Sequence, residues 1–405
     1  MKLTERDLSF LGQGQPPEND ELLSLMTIGR EVWLDFFKKY QLDYFIANGG
    51  SKVKVLVGSE GTGKTHLIRS VLYDAQQVNY TTVYLSAYEY KLNSLVEFYQ
   101  EVVEKIDLEK LIRDICCVVA ETFGFDQNQY DGSEVFIPKI RDEYPNSQIA
   151  EKELRKRVAK IAKKYDFNPS FQSFIYQITY SRMVSNSLDN IELSKKWLSG
   201  TNEVSQAEKK AYKSLLLFDK LQKFNARDWI NSLIQLLKLS GKKGLIVAID
   251  DLDVLSQRHT DSGKFFYSKN AVADVYEIIR QLIDDTETLE YCMFILGGRR
   301  SIIEDYDRGF RSYDALWIRL QTGLVGSEKF NSLADLIDVD KHLQTQQENQ
   351  QFLNQVYKKL HTLLSDNMGL SDASIRPPLP NNYLENYTPL QQRVIEATCL
   401  KGGTS

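Results

Sequence analysis

The segment from residue 53 to residue 70 constrains the fold of this chain more than any other part of the sequence. It starts with an apolar, β-branched run and continues with the motif Gly58-Ser59-Glu60-Gly61-Thr62-Gly63-Lys64-Thr65. From His66 onward, apolar side chains recur at the spacing of an amphipathic helix. A strand, a glycine-rich turn of the pattern G-x-x-x-x-G-K-T and a helix are therefore expected in that order.

The residue types of this motif suit phosphate chemistry. Glycines allow the backbone to curl so that several N–H groups point inward, and the helix N-terminus adds a partial positive charge. In such a turn Lys64 reaches the β- and γ-phosphates, and the hydroxyl of Thr65 holds Mg²⁺. The flanking strand and helix disfavour the alternative, a glycine-rich turn without a ligand. We therefore expect ATP and Mg²⁺ as cofactors, bound by residues 58–66.

Composition sets bounds on the rest. The chain has 405 residues, enough for two or three domains, and its formal net charge of −5 argues against a globally basic nucleic-acid binder. The sequence has no apolar run of membrane-spanning length and no signal-peptide core, so we expect no membrane association and a cytoplasmic location. Four cysteines lack metal-ligand spacing, and the adjacent Cys116 and Cys117 are interpreted as core residues rather than ligands.

The order of periodic segments indicates an α/β fold. Residues 27–106 show strand–helix–strand–helix, residues 107–240 show helical periods only, and residues 241–340 supply three further strands, the last at 335–339. Residues 1–26 are interpreted as an N-terminal arm whose first 18 residues form a polar tail, and residues 341–405 as a lid helix with a C-terminal extension. The predicted fold is a P-loop NTPase with a parallel five-stranded sheet, a large helical insertion and a helical C-terminal lid.

A pair of acids follows the most apolar strand of the second half. The run Leu245-Ile246-Val247-Ala248-Ile249 ends at Asp250 and Asp251. A buried parallel strand delivers such acids to its carboxyl edge, beside the P-loop. We predict that Asp250 holds Mg²⁺ and that Asp251 orients or deprotonates the attacking water. The alternative is a surface turn after a core strand.

The most cationic stretch lies between residues 152 and 164. A solvated helix face is the favoured interpretation, and contact with nucleic-acid phosphates is the alternative.

Together these landmarks resemble the AAA+/STAND class of P-loop ATPases, and within it the BREX phage-resistance ATPases of the BrxC/BrxD type. Ile28-Gly29-Arg30-Glu31 looks like the segment that lies against adenine in ORC-like members. Longer but less specific similarities to these ATPases are found at Trp197-Leu198-Ser199-Gly200 and at residues 241–255, 270–284 and 308–320. The resemblance implies that Ile28, Gly29 and Arg30 contact the nucleotide, that the chain forms a homo-oligomer, and that other defence-system proteins and DNA are its partners.

The resemblance also implies an arginine that completes a neighbouring subunit's site. Arg308, Arg311 and Arg319 are the candidates, and Arg319 is the one we predict to be catalytic. A surface or salt-bridging arginine is the alternative for each.

Two residues depart from the family pattern. Asp251 stands where glutamate is usual, and its shorter side chain predicts looser water positioning and slower turnover. Arg299 stands where the class has a small polar sensor; we predict that it contacts the γ-phosphate, and a bond elsewhere is the alternative.

Three functions compete. The first is an ATP-hydrolysing oligomeric switch that acts on DNA in a prokaryotic anti-phage system. The second is a nucleotide-gated scaffold that assembles partners with little hydrolysis, which Asp251 favours. The third is a small-molecule kinase, which the long helical insertion and the lid-like tail disfavour.

Overall fold

The computed structural model describes residues 4–17, 19–285, 288–321, 335–340, 350–368 and 387–398. Its centre is one parallel sheet, in the order β2-β3-β4-β1-β5. The strands are β1 (Ser51–Gly58), β2 (Thr81–Ser86), β3 (Leu245–Asp250), β4 (Cys292–Arg299) and β5 (Leu336–Asp338). The prediction of an α/β fold with five parallel strands is confirmed.

Helices surround this sheet. Four precede β2: α1 (Glu5–Gly12), α2 (Asp20–Met26), α3 (Glu31–Phe37) and α4 (Lys64–Gln77). Seven lie between β2 and β3: α5 (Leu95–Glu104), α6 (Leu108–Glu121), α7 (Ser147–Ala162), α8 (Pro169–Tyr180), α9 (Leu188–Leu198), α10 (Gln206–Ser214) and α11 (Ala226–Leu239). Later helices are α12 (Lys269–Asp284), α13 (Ser301–Glu304), α14 (Asp314–Gln321), α15 (Gln350–Met368) and α16 (Pro389–Thr398).

Short π-helical and 3₁₀ segments complete the described structure. The π-helical segments are Lys38–Phe45 and Ser181–Ser185, and the 3₁₀ turns are Ile46–Asn48, Ile137–Ile140, Leu252–Leu255 and Phe310–Ser312.

The central strands are buried on both faces. Every residue of β3 is buried, and in β4 only the last one is exposed. Strands covered on both faces read as continuous apolar runs, which is why they stand out in the sequence. Because all five strands are parallel, their carboxyl ends meet at one edge, which brings the residues after β1, β3 and β4 together.

The helices between β2 and β3 share a continuous core with one face of the sheet. Trp229 on α11 is central to it: its ring lies 5.5 Å from that of Tyr99, 5.2 Å from Phe171 and 4.8 Å from Trp197. The indole N–H of Trp197 donates to the Asp219 carbonyl. The segment around Trp197, which is similar to the family, therefore contributes to the packing of this core.

The N-terminal residues differ from the expected polar tail. Residues 5–12 form α1, whose N-cap Thr4 exchanges hydrogen bonds with Asp7, and Leu11 is fully buried. Leu11 packs with Leu22 of α2 and with Leu360 of α15. A short helix gains its stability from tertiary packing, which the polar composition of this segment does not reveal.

The C-terminal helices α15 and α16 lie in the part of the chain predicted as lid and extension. Residues 341–349, 369–386 and 399–405, which belong to that prediction, lie outside the described residues. In the described part of the chain, no helix combines the length and the apolar character needed to cross a membrane. Cys116 and Cys117 are buried and unbridged, as predicted for core residues. Cys292 is buried and unbridged as well, and Cys399 is not among the described residues.

Candidate functional site

A cavity of about 850 Å³ lies at the carboxyl edge of the sheet. It is lined by the P-loop, by the acids at the end of β3, by Arg299 and by the segments around residues 10–16 and 26–30. Residues of α15 and α16 complete the wall. The cavity therefore brings together parts of the chain from both termini and from the middle.

The P-loop turns as its glycines predict. Gly61 and Gly63 have φ values of 72° and 79°, in the left-handed region that only glycine adopts without strain, and Lys64 begins α4. The ammonium of Lys64 donates a 2.7 Å hydrogen bond to the Ser59 carbonyl. Burial lowers the pKa of Lys64, and the charge of Asp250 opposes that shift. Lys64 is thus a cation held directly over the loop.

Thr65 and Asp250 are in direct contact. The Thr65 hydroxyl donates to Asp250 Oδ2 at 2.7 Å, the Tyr84 hydroxyl donates to the same oxygen at 3.2 Å, and the Asp251 N–H donates to Oδ1 at 2.9 Å. A Cβ on Gly297 would lie 2.4 Å from Asp250 Oδ1, so only glycine leaves room for this carboxylate. Asp250 is therefore fixed by neighbours on β2, α4 and β4.

The oxygens of Thr65 and Asp250 fit a magnesium ion. Among the described residues, no group of three or more acids, histidines or cysteines could hold a metal. Mg²⁺ bound with a nucleotide needs no such group, because phosphates and waters supply most of its ligands and the protein adds one or two. This donor set therefore suits Mg²⁺ that arrives with a phosphate chain.

Asp251 follows β3 with φ 64° and ψ 30°, an unusual conformation for a residue other than glycine. Its Oδ2 accepts a 2.8 Å hydrogen bond from the Ser86 hydroxyl at the end of β2. Burial raises the pKa of Asp251, and the neighbouring charge of Asp250 raises it further. This combination suits a proton acceptor next to the cavity.

Arg299 ends β4 at the cavity edge and is engaged by two acids. Its guanidinium lies 3.1 Å from Glu60 Oε2 and 3.3 Å from Asp253 Oδ2. The side chain is 47% exposed, so both contacts can exchange with solvent or ligand. Arg299 therefore connects the P-loop to the turn after β3.

The segment upstream of the P-loop has two roles. Ile28 lines the cavity, and Gly29 has φ 73°. Arg30 is only 5% exposed, and its guanidinium donates to the carbonyls of Thr62 at 2.6 Å and Gly63 at 3.1 Å. Burial lowers the pKa of Arg30 to about 10. Arg30 therefore lines the cavity and also fixes the P-loop through two of its carbonyls.

His66 is neutral in this fold. Its Nε2 lies 3.0 Å from the Thr27 hydroxyl, and burial lowers its pKa to about 3, with the charge of Arg30 adding to the shift. At neutral pH His66 therefore adds no charge to the cavity that it lines.

The family resemblance gives three candidates for the arginine that completes a neighbouring subunit's site, and none of these three lines the cavity. Arg308 donates to the carbonyls of Leu255 and Tyr267, and Arg311 lies over the rings of Tyr306 and Trp317. Arg319 pairs with Asp284, with an Nη2–Oδ2 distance of 2.8 Å. Within this chain each has a structural partner, and the structure does not bring any of them to the site.

Several residues at the site belong to no sequence motif, and the sequence does not predict them. Asp340, two residues past β5, accepts 2.9 Å hydrogen bonds from the Ser59 N–H, and Arg300 lies 3.4 Å from the same carboxylate. Thr388, at the start of α16, donates to the Gly61 carbonyl at 3.3 Å. An acid just after a strand end is the one available sequence signal, and it applies to Asp340 alone.

The basic residues of α7 are partly used for packing. The guanidinium of Arg155 lies 5.3 Å from the ring centroids of both Tyr176 and Tyr180, and that of Arg157 lies 4.0 Å from Phe123. The exposed lysines of this stretch are Lys152, Lys156, Lys160, Lys163 and Lys164. A solvated face with structural arginines is therefore what the described contacts show.

Comparison with known protein families identifies the family of this chain. A family model described as BREX system ATP-binding protein BrxC/D matches residues 6–395. No curated protein and no solved structure matches the chain.

Proposed function

Because the chain belongs to the family of BREX system ATP-binding proteins BrxC/D, we propose that it is an ATP-hydrolysing oligomeric switch that acts on DNA. The contact between Thr65 and Asp250 carries the proposal, since it joins the P-loop helix to the acid of β3 at 2.7 Å. In this proposal the switch responds to the terminal phosphate of a nucleotide bound at this edge of the sheet.

The residues of the cavity divide the chemistry between them. Lys64 and the N–H groups of the P-loop bind the β- and γ-phosphates, while Thr65 and Asp250 hold Mg²⁺. The metal, when bound, neutralises charge that develops on the phosphate oxygens. Asp251 orients the attacking water and accepts its proton. Arg299 leaves Glu60 or Asp253 to contact the γ-phosphate.

A second function has support from the same geometry. Asp251 is one methylene shorter than the usual glutamate, and the Ser86 hydroxyl already occupies its Oδ2. Arg299 is shared between two carboxylates. Both features favour slow turnover, so the alternative is a nucleotide-gated scaffold that assembles protein partners with little hydrolysis.

We propose that the fold belongs to the AAA+/ASCE-like class, and the position of β4 between β1 and β3 supports this. Its proposed units are an N-terminal arm (1–26), the two halves of the ATPase domain (27–106 and 241–340), a helical insertion (107–240) and a C-terminal lid with extension (341–405). The insertion shares its core with the sheet, so it is expected to move with the ATPase domain.

Assembly and DNA contact belong to the same proposal. None of Arg308, Arg311 and Arg319 lines the cavity of its own chain, so an arginine finger would come from a neighbouring subunit of a homo-oligomer. Other defence-system proteins are expected as partners. DNA is expected to lie on the exposed lysines of α7, and the activity is placed in the cytoplasm, where ATP and phage DNA meet.

The ATPase rate with and without duplex DNA tests this proposal. We expect turnover that duplex DNA stimulates, and stimulation that weakens steeply with salt because phosphate contacts release counterions. Changing Lys152, Lys156 and Lys160 to Glu should remove the stimulation. The same change at Lys210, Lys213 and Lys223, also exposed, is the matched control. Equal stimulation of both variants would move the DNA site elsewhere, and ATP binding without turnover under all conditions would favour the scaffold.

A further inference from the structure

A second cavity, of about 520 Å³, opens beside the nucleotide site. Its walls are the segment after β2, the first turns of α5, the 3₁₀ turn after β3 and the start of α12. Tyr88 lines both cavities. The volume is within the range of ordinary ligand sites, and the proposed ATPase chemistry uses none of its other residues.

The lining is acidic. Glu89, Glu97 and Glu101 line the cavity together with one lysine, Lys91. None of the three carboxylates forms an ion pair with any described residue, and Glu97 accepts the backbone N–H of Lys91 at 3.2 Å. Burial raises the pKa of Glu101, and the surrounding glutamates raise it further. Three carboxylates beside one lysine leave the lining with a net negative charge, which attracts a cation and repels phosphate.

Tyr90 offers an unused polar group in the same place. The residue lines the cavity and is 8% exposed, and its buried hydroxyl has no hydrogen-bond partner among the described residues. Burial raises the pKa of Tyr90, and the charges of Tyr267 and Glu101 add to that shift. A buried hydroxyl without a partner is costly, and a ligand with N–H donors would satisfy it.

Aromatic faces complete the lining. Tyr88 and Phe266 meet edge to face, with ring centroids 5.7 Å apart. The Tyr267 hydroxyl donates to the Tyr90 carbonyl and accepts the Leu92 N–H, both at 3.1 Å, which fixes its ring. Aromatic rings beside carboxylates bind a planar guanidinium better than a compact ammonium, because the guanidinium stacks and donates in one plane.

We propose that this aromatic–acidic groove, formed by Tyr88, Tyr90, Glu97, Glu101 and Phe266, binds an arginine side chain of a protein partner. The carboxylates pair with the guanidinium, the Tyr90 hydroxyl accepts one of its N–H groups, and the rings cover its face. One guanidinium fills only part of the volume, so residues flanking the arginine occupy the rest.

Contacts lead from the groove to the P-loop. The Tyr88 hydroxyl donates to Gln257, whose amide donates to Asp253. Asp253 in turn pairs with Arg299, which pairs with Glu60 of the P-loop. A partner that moves Tyr88 therefore affects residues around the phosphates, and by linkage the nucleotide affects the partner's affinity to the same extent.

Fluorescence anisotropy with a labelled peptide that carries three arginines between glycine and serine spacers tests the groove. The measurement is made without nucleotide, so its outcome does not depend on whether the chain hydrolyses ATP. We expect saturable binding that the double change Glu97→Gln and Glu101→Gln weakens by about tenfold or more. Tyr90→Phe should weaken it by about threefold, and the lysine version of the peptide should bind less tightly.

The double change Glu121→Gln and Glu203→Gln is the matched control, because it removes the same charge from exposed positions outside the groove. Binding that falls equally in this control, or no binding by the parent, would overturn the proposal. Spermine that binds as tightly as the peptide would also overturn it, since the groove would then hold a polyamine. A slowly hydrolysed ATP analogue should shift the peptide's affinity in the parent and not in Tyr88→Phe; no shift in the parent would refute the link to the P-loop.

Discussion

The Ser59 backbone and the Asp340 carboxylate are joined across 281 residues of sequence by two hydrogen bonds of 2.9 Å. A further bond of 2.7 Å comes from the Ser59 hydroxyl. Together with the bonds from Arg30 to the carbonyls of Thr62 and Gly63, this contact fixes the P-loop at three of its residues. The loop is therefore preorganised by residues that no phosphate-binding motif contains.

We predict that Arg30→Lys weakens MgATP binding by about tenfold, because lysine cannot donate to the carbonyls of Thr62 and Gly63 together. Isothermal titration with MgATP checks this. Arg258→Lys is the matched control, since Arg258 also donates to a loop carbonyl, that of Gly263, away from the P-loop. Equal affinity of Arg30→Lys and the parent would show that the loop holds its shape without this brace.

We predict that substitutions of Asp250 and of Asp251 affect ATP turnover in different ways. Asp250→Ala removes a magnesium ligand and the acceptor of the Thr65 hydroxyl, so Mg²⁺-dependent turnover should be lost. Asp251→Asn keeps the size of the side chain and removes the base, so ATP should remain bound and unhydrolysed. Single-turnover assays with labelled ATP separate the two effects. Parent-like turnover by Asp251→Asn would show that another group activates the water.

We predict that His66 makes stability depend on pH between about 3 and 6.5. In the unfolded chain the imidazole takes up a proton below about pH 6.5, whereas burial keeps it neutral in the fold down to about pH 3. The unfolded state thus binds more protons in this window, and stability falls as the pH falls. Urea unfolding gives the free energy of unfolding at pH 7.5 and at pH 5. The decrease between these two pH values should be smaller in His66→Gln than in the parent, by on the order of 1 kcal/mol. His259→Gln, at an exposed position, controls for the loss of a histidine, and an identical pH dependence of all three proteins would contradict the prediction.

We predict that a slowly hydrolysed ATP analogue promotes self-association and that Arg319→Ala reduces it. The guanidinium of Arg319 pairs with Asp284 within the chain, so a structural role must be separated from a finger. Asp284→Asn breaks the pair and keeps the guanidinium, and it should retain association in sedimentation experiments. Equal loss in both variants would assign Arg319 to the fold of its own subunit, and a monomer under all conditions would contradict assembly.

The parts of the structure that the sequence predicts are those that depend on local pattern. Fully buried parallel strands read as apolar runs, so β3 and β4 were identifiable, and the parallel arrangement then put Asp250 beside Thr65. Both conclusions need only hydrophobic periodicity and the geometry of a parallel sheet.

The remaining features depend on contacts between distant segments, which a single sequence does not display. The bond from Asp340 to Ser59 is one, and the packing of α1 on α15 and α16 is another. Arg30 is a further example. The family resemblance implies that it contacts the nucleotide, and only the structure shows that its guanidinium binds carbonyls of the P-loop. Arg299 likewise has acidic partners, Glu60 and Asp253, that spacing alone does not reveal.

Isothermal titration of MgATP into the parent and into Lys64→Ala tests the central claim most directly, with Lys264→Ala, at an exposed loop position, as the control. Lys64 is the side-chain cation over the P-loop, so its removal should weaken binding by about a hundredfold or more, while the control should match the parent. Equal thermal unfolding of the three proteins would show that the fold is intact. Unchanged affinity in Lys64→Ala would contradict the account, because ATP would then be bound elsewhere or not through this loop.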